Sequence, residues 1–320
     1  MVTVACPKCG FEEPESATEC SRCGVVFRKF DPAAGPRAHV SSVEWDHHAA
    51  ETEAPAEVSA ESRVRAGDFK IVATGFALAV LAYAFPFIRF ILHPLTILVH
   101  ELGHTVAGWL FGYPSIPSFD FVYGGGITPH GAHQVAIALA VAAGFAYLGY
   151  FFRGSPRLVA LIGGCFLVWL FIEASEWRRL FVMEAAGHAS ECIFAGIFFW
   201  MAISGIGWRM PEVERPLGAF VAFMLQFNMI SFCLDLMHDP DYLEVYRQGK
   251  GGMLMHDVDA MSADLTIHTG WHPSIETLAR CYLVFAFVPM GLALLWYLRR
   301  AEWQRVVTFF YAPQADGPGR

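Results

Sequence analysis

Residues 69–112 read FKIVATGFALAVLAYAFPFIRFILHPLTILVHELGHTVAGWLFG. Over this stretch only Lys70, Arg89 and Glu101 carry a formal charge, and Phe69–Leu92 alone is long enough to cross about 30 Å of hydrocarbon as a helix. The whole chain agrees with that reading. Of its 320 residues, 55% are hydrophobic and only 16% are charged, where an ordinary soluble domain carries about 25%. Too few polar side chains remain to cover a water-soluble protein of this size. Outward from the quoted stretch, Ala132–Phe152, Arg157–Ile172, Cys192–Trp208, Pro216–Leu236 and Cys281–Leu298 are further apolar runs. With the shorter His93–Gly112 segment they predict an all-α polytopic membrane protein of six or seven transmembrane helices. Gly163-Gly164 and the small residues of Ala136–Gly149 suit helices that approach closely in lipid.

The charge balance narrows the partners. A net charge of −8 argues against nucleic acid, whose phosphates are bound by clustered Lys and Arg; the bilayer is the first partner. Arg63, Arg65 and Lys70 before the first span place the N-terminus inside by the positive-inside rule. Simple alternation then puts Arg153 and Arg157 outside, against the same rule, so one segment is re-entrant or one boundary is displaced.

Residues 1–30 are of a different kind. Cys6-Pro7-Lys8-Cys9-Gly10 and Cys20-Ser21-Arg22-Cys23-Gly24 are two Cys-x-x-Cys pairs that can set four thiolates around one Zn²⁺, and the glycine after each pair lets the backbone turn toward sulfur. The segment resembles a short zinc ribbon of the kind found at bacterial N-termini. No cleavable leader precedes the cysteines, so a reducing cytosol and a bacterial plasma membrane are expected, with a structural zinc supplying most of the folding energy of so small a unit. Residues 31–66 read as a disordered acidic linker that holds His39, His47 and His48. The membrane-embedded domain runs over 67–311 with a polar loop at 237–279, and 312–320 form a flexible tail.

His100-Glu101-Leu102-Gly103-His104 sits inside the apolar run. Residues four apart share a helix face, so both imidazoles can hold one metal ion, with Glu101 beside them as general base toward water. A charged side chain at membrane depth costs about 2.5–3.5 kcal/mol or more, and metal coordination offsets that cost. His-Glu-x-x-His in a membrane helix, followed after Trp109-Leu110-Phe111-Gly112 by a Gly-rich stretch and further spans, resembles the site-2 protease family of intramembrane zinc metalloproteases. The resemblance covers mainly residues 93–131. It implies a catalytic zinc held by His100, His104 and a distant carboxylate, with Glu101 as base and a transmembrane protein as substrate. In that family the carboxylate is the aspartate of a Leu-Asp-Gly motif; here Asn228 and Leu234-Asp235-Leu236 stand without the glycine and without the preceding proline.

The third ligand therefore stays open. Glu184, His188 and Glu191 recur at i, i+4 and i+7 on one helical face and lead into the run from Cys192; His188 is the preferred ligand and Asp235 its rival. His238, Asp239 and Asp241 follow the sixth span and can ligate or cap the next element. Phe119, Phe121 and Tyr123 alternate before Gly124-Gly125-Gly126, which reads as a short strand and turn. The resemblance implies a re-entrant hairpin at this point, and a strand edge there can bind an extended peptide. Gly249-Lys250-Gly251-Gly252, His256-Asp257, His268 and His272 lie in a polar loop near the site mouth, and the glycine spacing is not that of a P-loop. Cys165, Cys192, Cys233 and Cys281 read as small hydrophobes. The expected activity is zinc-dependent intramembrane endopeptidase, with the ribbon recruiting a protein partner. The alternatives are a membrane scaffold with a structural metal site and a di-iron oxidase using Glu-x-x-His ligands.

Overall fold

A computed structural model describes residues 3–5, 12–14, 66–120, 125–248, 255–300 and 302–303. The chain divides into two units, Met1–Pro55 and Ala56–Arg320. In the first, β1 (Thr3–Ala5) pairs antiparallel with β2 (Glu12–Pro14), Thr3 opposite Pro14. The four ribbon cysteines and linker residues 31–65 lie outside the described residues.

Among the described residues, the second unit is helical apart from one small hairpin. Its helices are α1 (Ala66–Ala84), α2 (Pro86–Leu110), α3 (Val135–Phe151), α4 (Pro156–Glu173), α5 (Glu176–Ser204), α6 (Pro211–His238), α7 (Pro240–Gln248), α8 (Asp257–Thr269) and α9 (Ile275–Leu298). Among the described residues, five helices are long and apolar enough to cross a membrane, namely α1, α4, α5, α6 and α9. The chain is an integral membrane protein.

Two boundaries differ from the sequence expectation. The run Phe69–Leu92 is not one span, because the chain breaks at Phe85 (φ −103°, ψ 107°) and restarts with Pro86 at the first helical position. A proline disfavours helical backbone at the residue before it and is preorganised to begin a helix. The new helix, α2, carries Arg89, His93, His100, Glu101 and His104, and these polar groups keep it out of the apolar class. Of the expected run Cys192–Trp208, the part up to Ser204 is the second half of the 29-residue α5, which ends at a left-handed Gly205, so the Glu184/His188/Glu191 stripe belongs to the same helix as the span. The polar loop 237–279 also contains α7 and α8. Asp239 Oδ1 accepts from the backbone N–H groups of Asp241 and Tyr242, both at 3.0 Å, and so caps α7.

α5 packs against α2, α6, α8 and α9 and is the centre of the unit. Small residues set the α2–α5 crossing. A Cβ on Gly103 would lie 2.5 Å from Ser190 Oγ and closer still to the Ala186 carbonyl. The Ser190 hydroxyl bridges the two helices, 2.7 Å from both Val99 O and Gly187 O. α8 is held by Val258 and Met261, which are buried with Tyr246, Tyr282, Cys192 and Cys233; Tyr282 OH donates to Ala185 O at 3.1 Å. The two cysteines are free and buried, as expected of small hydrophobes. Across the unit, Arg215 Nη2 pairs with Asp68 Oδ1 at 2.6 Å, and Tyr297 OH donates to Asp68 Oδ2 at 2.6 Å. That network ties α1, α6 and α9 and leaves neither charge uncompensated, the condition for tolerating buried ions.

Between α2 and α3, β3 (Ser118–Asp120) pairs antiparallel with β4 (Gly125–Ile127). The strand and turn are present, but Gly125 and Gly126 form the returning strand instead of the turn. β4 lies against α2 beside the metal motif.

Candidate metal centre

His100, Glu101 and His104 open onto a cavity of about 750 Å³. Elements far apart in sequence complete its wall: Glu184, His188 and Glu191 from α5, Asn228 and Asp235 from α6, and Asp257 from the first turn of α8. His100, Glu101, His104, Glu184, His188, Glu191 and Asp235 therefore reach one cavity, together with Asp257, which the sequence reading left in a loop; His238, Asp239 and Asp241, the other expected ligands, are not among its described lining residues. The described lining carries five carboxylates, Glu101, Glu184, Glu191, Asp235 and Asp257, against a single arginine, Arg89. Such an excess in a confined space calls for a cation.

The imidazoles say where. His104 Nδ1 is 2.7 Å from Met183 O; a carbonyl can only accept, so Nδ1 carries a proton and Nε2 is the nitrogen turned into the cavity and available to a metal ion. His100 Nδ1 faces Glu191 Oε1 at 3.0 Å, and its Nε2 likewise points inward. The two Nε2 atoms are 3.0 Å apart, and Asp257 Oδ2 is 2.9 Å from that of His100 and 3.1 Å from that of His104. Three electron-pair donors thus converge on one point. Tetrahedral donors at metal bond lengths of about 2.0–2.1 Å are separated by about 3.3 Å, so this triangle needs little expansion to take a divalent ion.

Gly187 leaves the space. A Cβ there would stand 2.6 Å from His100 Nε2 and closer still to His104 Nε2, about where an ion bound to both nitrogens would sit. Any side chain on α5 at this turn would fill the cradle.

His188 is the nearest further donor. It groups with His100 and Asp257, one ligand atom from each lying within 4.8 Å of the others, and its ring centroid is 4.5 Å from that of His100. Its Nδ1 faces the same Glu191 Oε1 at 3.2 Å, leaving Nε2 to ligate. Glu191 is thus a carboxylate behind the ligands, orienting two imidazoles at once in the way that partners of metal-bound histidines do; Asn228 Nδ2 occupies its other oxygen at 3.0 Å. Asp235 lines the cavity, but its Oδ2 accepts from Ser231 Oγ at 3.2 Å and it is not part of the close donor set.

Asp257 lies outside the membrane-spanning helices. Burial would push its carboxyl up, but hydrogen bonds from His100 and His104 overcome that and hold it well below the usual carboxylate range.

Glu101 is 6% exposed and sits beside this set without joining it. Its Oε2 accepts from Thr128 Oγ1 at 2.6 Å, and Gly126 packs against the carboxylate. The sequence reading placed Asp257 in a loop near the site mouth without naming it as a ligand, and it did not name Thr128. For Asp257 a signal existed, because Val258 and Met261 follow it at helical spacing and mark a packed helix. For Thr128 there was none beyond its closeness to the glycines. Comparisons with protein family models, with curated proteins and with solved structures find no match for this chain.

Proposed function

We propose that the chain is a zinc-dependent intramembrane endopeptidase, with His100, His104 and a carboxylate as metal ligands and Glu101 as general base. The observation that carries this reading is the convergence of His100 Nε2, His104 Nε2 and Asp257 Oδ2 within 3.1 Å of one another, with a carboxylate outside that donor set, Glu101, on the same cavity wall. Two imidazoles and one carboxylate suit zinc and leave a position open. Bound zinc would acidify water and polarise a peptide carbonyl. Glu101 takes up the proton, and the cavity admits the water that hydrolysis consumes. The substrate is a transmembrane protein, because the cavity is walled by helices of the membrane unit.

Cys6, Cys9, Cys20 and Cys23 hold a second, structural zinc in a ribbon that recruits a protein partner. Reduced thiolate ligands and the basic residues before α1 favour a cytosolic N-terminus and a bacterial plasma membrane.

The test is Glu101→Gln in detergent, with fluorescently labelled unfolded casein as a sequence-tolerant probe. The variant is expected to keep its metal and lose cleavage; cleavage by the variant at the wild-type rate overturns the mechanism.

One observation favours a second reading. If His188 ligates together with His100, His104 and Asp257, the shell is filled by protein and the metal is structural. A hydroxamate that alters the visible spectrum of the cobalt-substituted protein argues for an open position, and an unchanged spectrum for a closed one. A di-iron oxidase, with Glu101, His104, His188 and either Glu184 or Glu191 as ligands, is disfavoured because it would leave His100 without a role, and Glu191 already has both oxygens engaged with His100, His188 and Asn228.

A further inference from the structure

Thr128 follows β4 directly, and its hydroxyl engages the glutamate next to the first histidine. The contact is short. Thr128 Oγ1 to Glu101 Oε2 is 2.6 Å, in the range of charge-assisted O–H···O⁻ bonds. The same hydroxyl lies 3.1 Å from Glu101 O, an acceptor that already receives the Thr105 hydroxyl at 2.8 Å; a hydroxyl has one proton, and the shorter path leads to the carboxylate.

Thr128 is itself held from both sides. Ile127 before it pairs with Ser118, Pro129 after it accepts from Ile116 N at 3.3 Å, and Ser115 bridges to His130. Two residues upstream, a Cβ on Gly126 would come within 2.5 Å of Glu101 Cγ and Cδ. One strand thus confines the carboxylate between a hydroxyl and a glycine backbone. That confinement matters because the last torsion of a glutamate is soft and broadly populated, whereas proton transfer needs the accepting oxygen within about 2.6–3.2 Å of its partner.

Resting on the endopeptidase reading, we propose that Thr128 is the positioning residue of the general base: its hydroxyl engages Glu101 Oε2, leaves Oε1 on the Gly126 side to take the proton, and makes the β3–β4 hairpin the element that aims catalysis. A misplacement of about 1 Å in such a group can cost a hundredfold in rate, so the effect belongs in kcat and not in KM or in metal content.

The experiment compares Thr128→Val and Thr128→Ser in the full-length protein. Cleavage of labelled casein is read as kcat and KM, with cobalt content and the dissociation constant of a simple hydroxamate for the cobalt-substituted protein measured alongside. The hydroxamate binds as an anion whose proton must be accepted nearby, so its affinity reports on Glu101 without any turnover. Thr128→Val is expected to lower kcat by about 10- to 100-fold with KM and metal content unchanged and to weaken hydroxamate binding in parallel, while Thr128→Ser stays near wild type. If the valine variant does not accumulate, Thr128→Cys replaces it; its weak thiol donor should give an intermediate loss.

Wild-type kcat and hydroxamate affinity in the valine or cysteine variant overturn the proposal, and so does an equal loss in the serine variant, which would assign the effect to packing. Failure of the endopeptidase reading shows up separately, as cleavage retained by Glu101→Gln. In that case the hydroxamate titration alone decides: affinity lowered by both Glu101→Gln and Thr128→Val supports the positioning role, and affinity lowered only by the former overturns it.

Discussion

Replacing Gly187 by alanine tests the metal centre most directly, because the change adds one methyl at the place the ion would occupy. Its Cβ would be 2.6 Å from both Nε2 and Cε1 of His100 and nearer still to His104 Nε2. An ordinary carbon–nitrogen contact needs about 3.5 Å, so the methyl must displace the imidazoles, or α5 as a whole, by about 0.9 Å. Metal sites accept about 0.2 Å of deviation in ligand distance. One nitrogen ligand at least is therefore lost. Four-ligand zinc sites bind with apparent free energies of about 10–16 kcal/mol, which is about 2.5–4 kcal/mol per ligand, or about 60- to 700-fold in affinity. The assay is cobalt titration against a competing chelator, followed by visible absorption. Nitrogen- and oxygen-bound cobalt is spectroscopically distinct from thiolate-bound cobalt, so metal on the N-terminal cysteines does not interfere. Gly144→Ala, where nothing lies within 4 Å of the added methyl, controls for a general effect of glycine replacement. A folded Gly187→Ala protein that binds cobalt as tightly as wild type refutes the reasoning, since the ion would then have to sit elsewhere.

Two further outcomes follow from the same geometry. Asp257→Ala is expected to weaken cobalt binding by about a hundredfold or more, while Asp235→Ala leaves it within about threefold, because Asp235 is engaged with Ser231; the opposite ranking in a chelator competition would return the carboxylate ligand to α6. Glu191→Gln keeps the side chain's size but places an amide N–H₂ against either the imidazole protons of His100 and His188 or the Asn228 amide, and should cost about 10- to 100-fold in metal affinity. Unchanged affinity there would show that Glu191 does not orient the ligands.

Much of this site could be read from the sequence, and the limits have a physical pattern. The His100/His104 spacing reports a helix face, and α2 is a helix. The recurrence of Glu184, His188 and Glu191 at helical spacing reports a face of α5 that turns toward the metal, and all three line the cavity. Local periodicity is enough for such groups because their geometry is set within one element. Asp257 is different. It lies more than 150 positions beyond the histidines it meets, and the burial of Val258 and Met261 among residues of α5, α6, α7 and α9 brings it there. Its neighbourhood is polar and glycine-rich, so composition suggests a loop and conceals a packed helix. Phe85 shows the converse error: hydropathy averages over a residue whose backbone Pro86 has made extended, and two helices look like one span. Thr128 acts through a single hydroxyl contact, which leaves no periodic trace.

The α2–α5 separation is the quantity on which both the fold and the site depend. Gly103 lets the helices close until Ser190 reaches Val99 O across the interface, and at that same separation His104 reaches Met183 O and His100 reaches Glu191. Those two contacts select the ring orientations that turn both Nε2 atoms inward, while Gly187, one helical turn before Glu191, keeps the space between them clear. A larger residue at Gly103 would push the helices apart, lengthen both imidazole contacts and release the orientations together. Packing and ligand geometry are thus one constraint, and the ionisable groups at this depth are tolerable for the same reason. Each described oxygen of Glu191 has a donor, and Glu101 has Thr128. For these two groups the desolvation cost that otherwise excludes carboxylates from apolar surroundings is offset by their partners, while Glu184 on the same wall keeps a buried oxygen, Oε2, without a donor among the described residues.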